Sequence, residues 1–313
     1  MADNTEIEWT DATWNPITGC SVVSPGCKHC YAMRLAGGRL RHQPSRRGLT
    51  ETTTAGPVWN GRVRFNMEWL LDPLRWRRPR RIFVCAHGDL FHPAVPFEWI
   101  DHVLAVMALA PRHTFQVLTK RPERMWNYFT DRHGWVRDNV LQAADAVLAK
   151  WGRLLSPPDF VRDIRFPLPN VWLGVSIEDR ARIHRIHALE DTPAALRFIS
   201  FEPLLEDVCP VDLRFIDWAI VGGESGPRAR PMEPEWVLRL YHLCRSYGVA
   251  FFFKQWGGPR PKSAGRLLGG VLHDEIPERS DDGRFIPPFR PKTPLDRVQV
   301  LPKFELDDDD LPF

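Results

Sequence analysis

From residue 80 onward, short apolar runs alternate with stretches whose apolar residues recur every three to four positions. Short apolar runs bounded by turn formers read as buried strands, and the 3.6-residue period reads as helix. The predicted strands are 81–86, 114–119, 171–176, 196–200, 218–221 and 250–253, with an earlier one ending near Gly19. The predicted helices are 97–110, 122–129, 179–189 and 234–247, with Pro or an acid near each start, as helix N-termini prefer. In the first of them Ile100, Val103, Leu104 and Met107 share one face. Strand–helix alternation of this kind predicts an α/β fold built on a parallel sheet. Residues 131–169 carry a further helix and a proline-bearing loop at 156–169, so they read as an insertion between two strands.

Composition bounds the rest. With 43% hydrophobic and 26% charged residues, the 313-residue chain is neither disordered, collagen-like nor a coiled coil. The longest uncharged apolar run, 103–110, is far short of the roughly 20 residues of a membrane span. The acidic, polar first ten residues do not resemble a secretory signal, so a cytoplasmic protein is expected. Beyond residue 257 the pattern breaks down: 257–313 holds nine Pro and six Gly, which predicts an extended wrap and then a disordered acidic tail. Domain organisation is therefore read as a body, 1–256, followed by this C-terminal wrap. Glu305 and Asp307–Asp310 place five acids in the last nine residues, and the remainder carries +8. That surplus suits polyanions, although 35 of the 42 basic residues are Arg, which a genomic coding bias also produces. The run Arg75-Trp76-Arg77-Arg78-Pro79-Arg80-Arg81 is either a phosphate contact or a solvated lead into a strand.

In a parallel α/β fold, reactive groups gather beyond the carboxyl ends of the strands. The first polar residues there are Asp89, Lys120, Ser176 with Glu178, Glu202, Glu224 and Lys254. Singly, such residues cap helices or pair as solvated charges; their recurrence at every strand end is what favours a polar site. Gly222-Gly223-Glu224-Ser225-Gly226 is a turn that permits close backbone approach, but it has neither the dinucleotide spacing nor the phosphate-loop ending.

Cys85, Cys209 and Cys244 are scattered in apolar surroundings and read as core. Cys20, Cys27 and Cys30 share one loop, Gly19 to Tyr31, between the first strand and a helix. Three thiolates on one loop suit a soft metal. Zinc would need a fourth ligand such as His29, His87 or His92; a [4Fe-4S] cluster on three thiolates leaves one iron open to an exogenous chelate; a plain loop is the third reading.

With these motifs the chain resembles the radical SAM superfamily, in which three cysteines hold a [4Fe-4S] cluster and S-adenosyl-L-methionine chelates its fourth iron. The usual spacing there is CxxxCxxC with an aromatic before the last Cys, whereas this chain has six residues and then two between its cysteines, with His29 in that place and Tyr31 after it. The wider pattern is similar to an uncharacterised, phage-associated three-Cys-motif family. It stands here as Trp9–Pro16, the cysteine loop, Asp89–His92, Leu118–Pro122, Gly174–Glu178, Ser200–Leu204, Val221–Gly226 and Phe253–Gly257, about four fifths of the chain. Spore photoproduct lyases are the nearest characterised likeness. Their Lys and Ser contacts to the cofactor fall on Lys120 and Ser176, while the position of their hydrogen-donating Cys falls on Ala86.

The resemblance implies an incomplete (β/α)6 TIM-like barrel of radical SAM type with a C-terminal extension. It implies an enzyme that reductively cleaves S-adenosylmethionine to a 5'-deoxyadenosyl radical, fed by a flavodoxin- or ferredoxin-like electron donor. Cys20, Cys27 and Cys30 would ligate iron; Tyr31, Lys120, Ser176 and Glu178 would hold the cofactor; Asp89, Glu202, Glu224 and Lys254 would face the substrate. The alternative is a nucleic-acid-binding module with a structural iron–sulfur cluster or zinc, its Trp residues stacking on single strands.

Overall fold

A computed structural model describes residues 5–130, 135–151, 164–260, 262–279 and 285–286. Seven parallel strands run in chain order through the main sheet: β1 (Ala12–Trp14), β2 (Arg81–Val84), β3 (Thr114–Thr119), β4 (Val171–Ser176), β5 (Leu196–Phe201), β6 (Trp218–Gly222) and β7 (Ala250–Gln255). The fold is α/β, as the alternation predicts. The chain divides into two compact units, residues 1–175 with 185–195, and residues 176–184 with 196–313.

In the first unit β1 to β4 pair in parallel register, for example Thr13 with Phe83, Phe83 with Gln116 and Gln116 with Trp172. β1 ends at Trp14; Ile17–Thr18 instead pairs antiparallel with Arg64–Phe65, so the first strand stops short of Gly19. β2 stops at Val84 rather than 86, because Cys85 takes a left-handed φ of 57° and turns the chain. A hairpin, Thr50–Thr53 with Gly56–Trp59, and the helix α1 (Tyr31–Gly37) follow the cysteine loop. The helix α2 (Phe97–Leu109) buries more than its predicted face: Ala105 and Val106 are sealed along with Ile100, Val103, Leu104 and Met107. Its second side is covered by α4 (Val136–Trp151), the helix of the insertion. Tyr128 of α3 (Pro122–Thr130) hydroxyl-bonds the buried Asp101 of α2 at 2.5 Å, which fixes the two helices together. The loop part of the insertion, 156–163, lies outside the described residues.

The second unit carries β5 to β7, whose residues Phe198, Trp218 and Ala250 lie in adjacent register and are sealed from solvent. The helix α6 (Pro234–Tyr247) opens on Pro and closes on Gly248 at φ 70°, the left-handed stop that glycine takes without strain. The helix expected over 179–189 is two pieces, a single 3-10 turn Arg180–Arg182 and α5 (Arg185–Glu190), the latter in the first unit. Arg180 is drawn aside by the carbonyls of Asp207 and Cys209. Cys85, Cys209 and Cys244 are buried, as their apolar settings predict. No helix among the described residues is long and apolar enough to cross a membrane. The acidic tail lies outside the described residues.

Candidate functional site

The cysteine loop of the first unit is held from three sides. Pro25 opens a 3-10 turn, Pro25–Cys27, and the Cys30 amide closes on the Cys27 carbonyl at 3.3 Å, so α1 starts directly behind Cys30. The amides of Ala32 and Met33, among those left free at a helix start, favour the charged form of the Cys30 thiol. Cys20 and Cys30 pack against Ala32, Met33, Ala36, Leu49 and Trp59, so the thiols sit on an apolar floor.

The third side is a buried charge network beyond the ends of β2 and β3. Asp89 Oδ1 accepts from Thr119 Oγ1 at 2.7 Å and from the Phe91 amide at 3.0 Å. Its Oδ2 accepts from Arg121 Nη1 at 2.7 Å and from the Lys120 amide at 3.2 Å. A carboxylate offers about four lone-pair sites, so Asp89 is saturated by its own protein. Arg121 then reaches the loop: Nη1 donates to Cys20 Sγ at 3.6 Å, and Nη2 to the carbonyl and hydroxyl of Ser21 at 3.1 and 2.9 Å. His92 completes the network. The Ala94 amide donates to its Nδ1 at 3.1 Å, which puts the ring proton on Nε2, facing the Ser21 hydroxyl at 3.0 Å.

These surroundings set the protonation states. Burial, with Asp89 nearby, pushes the Cys20 thiol up to about 12, against the pull of Arg121. Burial likewise raises Cys30, opposed by the α1 amides. His92 is lowered to about 4 by burial and then by the Arg121 charge, so its ring is neutral. Cys27 lies close enough to Cys20 and Cys30 to raise both thiols. Among the described residues, no three His, Cys, Asp or Glu side chains are already gathered as a metal cage. The loop thus offers a soft donor set on a charged support, and Tyr31 stands beside it, half exposed, its hydroxyl on the Ala86 carbonyl at 2.8 Å.

In the second unit the charges close on one another. Glu202, beyond β5, pairs with Lys254 of β7 at 2.9 Å. Gly222 makes room for this: a Cβ there would lie 2.6 Å from Glu202 Oε1. Glu224 is gripped by Arg230 through Nη2 at 2.5 Å, Nε at 2.9 Å and the amide at 3.1 Å. Gly223 lets the turn lie against the next segment, since a Cβ would come within 2.0 Å of the Trp256 carbonyl oxygen. Ser176 is buried at the end of β4, and Glu178 is fully buried, its carbonyl taking the Leu205 amide at 2.9 Å.

The structure therefore brings Cys20, Asp89 and the Lys120 backbone into one network in the first unit, while Ser176, Glu178, Glu202, Glu224 and Lys254 belong to the second. Sequence reasoning passes over Arg121, Thr119 and Ser21. Arg121 is turned toward Asp89 by the bend that follows β3, where its amide donates to Thr119 Oγ1 at 3.0 Å, and the strand pattern carries no signal of that bend.

Fold and site together define an α/β protein with a three-cysteine loop anchored at the carboxyl ends of parallel strands. Residues 4–277 match the model of a family described as proteins of unknown function (DUF5131), and the chain belongs to that family. No curated protein and no solved structure matches it.

Proposed function

We propose that the chain is a radical SAM-like enzyme of the cytoplasm, with the strands forming the incomplete (β/α)6 barrel of that superfamily. The observation that carries this reading is the Arg121 guanidinium fixed at the Cys20 thiol by a saturated Asp89. Three thiols on one loop are the soft donors an iron–sulfur cluster takes, and the cation and the α1 amides are the donors that stabilise sulfur-borne negative charge. Cys20, Cys27 and Cys30 would hold the cluster. When bound, cluster and S-adenosylmethionine supply one-electron cleavage of the sulfonium bond, with the electron from a flavodoxin- or ferredoxin-like donor, methionine leaving and hydrogen abstracted from substrate. The protein's own share is support: Asp89 holds Arg121, Arg121 and His92 hold Ser21, and the Trp59 floor keeps water from the thiols. Tyr31 and Lys120 are the first unit's cofactor-binding candidates and Ser176 and Glu178 the second's, with Glu202, Glu224 and Lys254 as the second unit's substrate-side candidates.

Anaerobic reconstitution tests this. We expect about four irons and four sulfides per chain and slow formation of 5'-deoxyadenosine from S-adenosylmethionine under reduction. Ala at Cys20, Cys27 or Cys30 should remove the iron, while Cys209→Ala and Cys244→Ala should retain it. Stoichiometric zinc with no cluster, or a cluster with no cofactor cleavage, favours instead a binding module with a structural metal, for which the exposed Arg77 and Arg78 are the supporting observation.

A further inference from the structure

Arg46 is an anomaly in the first unit. It is 5% exposed, yet among the described residues no carboxylate pairs with it, whereas the other buried guanidinium of this unit described above, Arg121, has Asp89. A buried charge is ordinarily paired, because desolvating it alone costs several kcal/mol. An arginine cannot escape by losing its proton. What Arg46 has is partial: the face of Trp69 at 5.6 Å, a long bond from Nη1 to its neighbour's carbonyl on Ser45 at 3.4 Å, and a bond from Nε to His87 Nδ1 at 3.3 Å. Its remaining nitrogen, Nη2, makes no hydrogen bond and is not among the atoms sealed from solvent.

The bond to His87 fixes a second donor. Arg46 can only donate, so His87 Nδ1 accepts and the neutral ring carries its proton on Nε2. His87 is partly exposed, its ring edge-on to the half-exposed Tyr31 at 5.9 Å. The Nη2 end of the guanidinium and the imidazole N–H of the His87 it bonds therefore have no acceptor among the described residues. The sequence around them is the most basic part of the chain: residues 28–81 hold thirteen Lys and Arg against three Asp and Glu. Arg34, Arg39, Arg41, Arg47 and Arg62 of that stretch are exposed. Such a field favours an anion of more than one charge.

We propose that Arg46 and His87 form a binding site for a phosphate group, the anion that completes the buried guanidinium. Arginine suits it because its planar fork matches phosphate geometry. The site does not depend on a cluster at Cys20, Cys27 and Cys30.

The test uses the full chain and two probes, inorganic phosphate and a twelve-residue oligothymidylate. At ionic strength matched with chloride, phosphate should raise the Tm of the wild type progressively. Arg46→Met should weaken phosphate at least tenfold without lowering the Tm of the ligand-free protein, since it removes an uncompensated charge. His87→Phe keeps a ring against Tyr31, loses the N–H, and should weaken phosphate several-fold; it decides the matter if Arg46→Met does not fold. If the phosphate belongs to a nucleic-acid strand, Arg46→Met should also lower the salt slope of oligothymidylate binding by about one. Loss confined to inorganic phosphate assigns the site to a small phosphorylated compound. A wild type that responds to phosphate no more than to chloride, or wild-type phosphate affinity in both variants, overturns the proposal.

Discussion

The two units place charged side chains at or just beyond the ends of parallel strands and use them differently. In the first, Arg121 is 8% exposed and shared among Asp89, Ser21 and Cys20, so the charge network ends on a cysteine thiol. In the second, Lys254 and Glu202 are 24% and 14% exposed and end on each other, as do Arg230 and Glu224. Polar residues recurring at strand ends are therefore not in themselves a site. What separates the regions is whether the network reaches a group that can do chemistry.

The most damaging way to break this comparison is to cut each network at its cation. Arg121→Ala leaves the buried Asp89 side chain without its cation and reduced to three donors, which should cost on the order of 3–5 kcal/mol. Lys254→Ala leaves a carboxylate that water can reach, and should cost about 1 kcal/mol. Urea unfolding followed by circular dichroism measures both. Equal losses would mean that Arg121 is no more a clamp than Lys254 is, and the support assigned to the cysteine loop would go with it. Arg121→Lys should recover only part of the loss, because an ammonium cannot span Asp89, Ser21 and Cys20 together.

How far the sequence reveals this contrast depends on the physics behind each feature. β3, β4 and α6 lie where periodicity places them, because their patterns are set by burial alone. The strand-end polar residues are likewise visible, but their partners are not: Glu224 meets Arg230 nearby in sequence, whereas Asp89 meets Arg121 across 32 positions. Lys120 is the first charge beyond β3, but the bend after Thr119 turns Arg121 toward the loop. Arg46 gives no local signal at all. Its burial arises from Trp69 and His87, which only the folded chain brings to it.

A gentler probe of the same contrast is acid. Burial lowers both His92 and His87 to about 4, with Arg121 acting on the first and Arg46 on the second. Between that value and the unfolded value near 6.5 the unfolded chain binds more protons, so stability falls as pH falls through this window. For His92, which is 3% exposed, the loss should be on the order of 2–3 kcal/mol. His92→Gln should flatten the stability profile between pH 6.5 and about 4, and a profile unchanged by the substitution would show that His92 is not held neutral against Ser21 and Arg121.

The smallest expected effect is the coupling across the ion pair of the second unit. Lys254 Nζ stands 2.9 Å from Glu202 Oε1, close enough for a strong bond if it were dry. Both groups keep contact with water, however, and the Ser200 hydroxyl lies 3.4 Å from Glu202 Oε2, too long to lock the carboxylate. Gly222 contributes space beneath the carboxylate but no donor. A double-mutant cycle through Glu202→Gln and Lys254→Met should therefore give a coupling energy below about 1 kcal/mol, falling further as salt rises to about 0.5 M. The cycle isolates the pair because neither substitution leaves a fully desolvated charge behind. A coupling above about 3 kcal/mol, insensitive to salt, would place Glu202 and Lys254 in the same class as Asp89 and Arg121. The second unit would then hold a fixed, preorganised charge pair of its own, and the distinction between a network that ends on chemistry and one that ends on itself would no longer rest on burial.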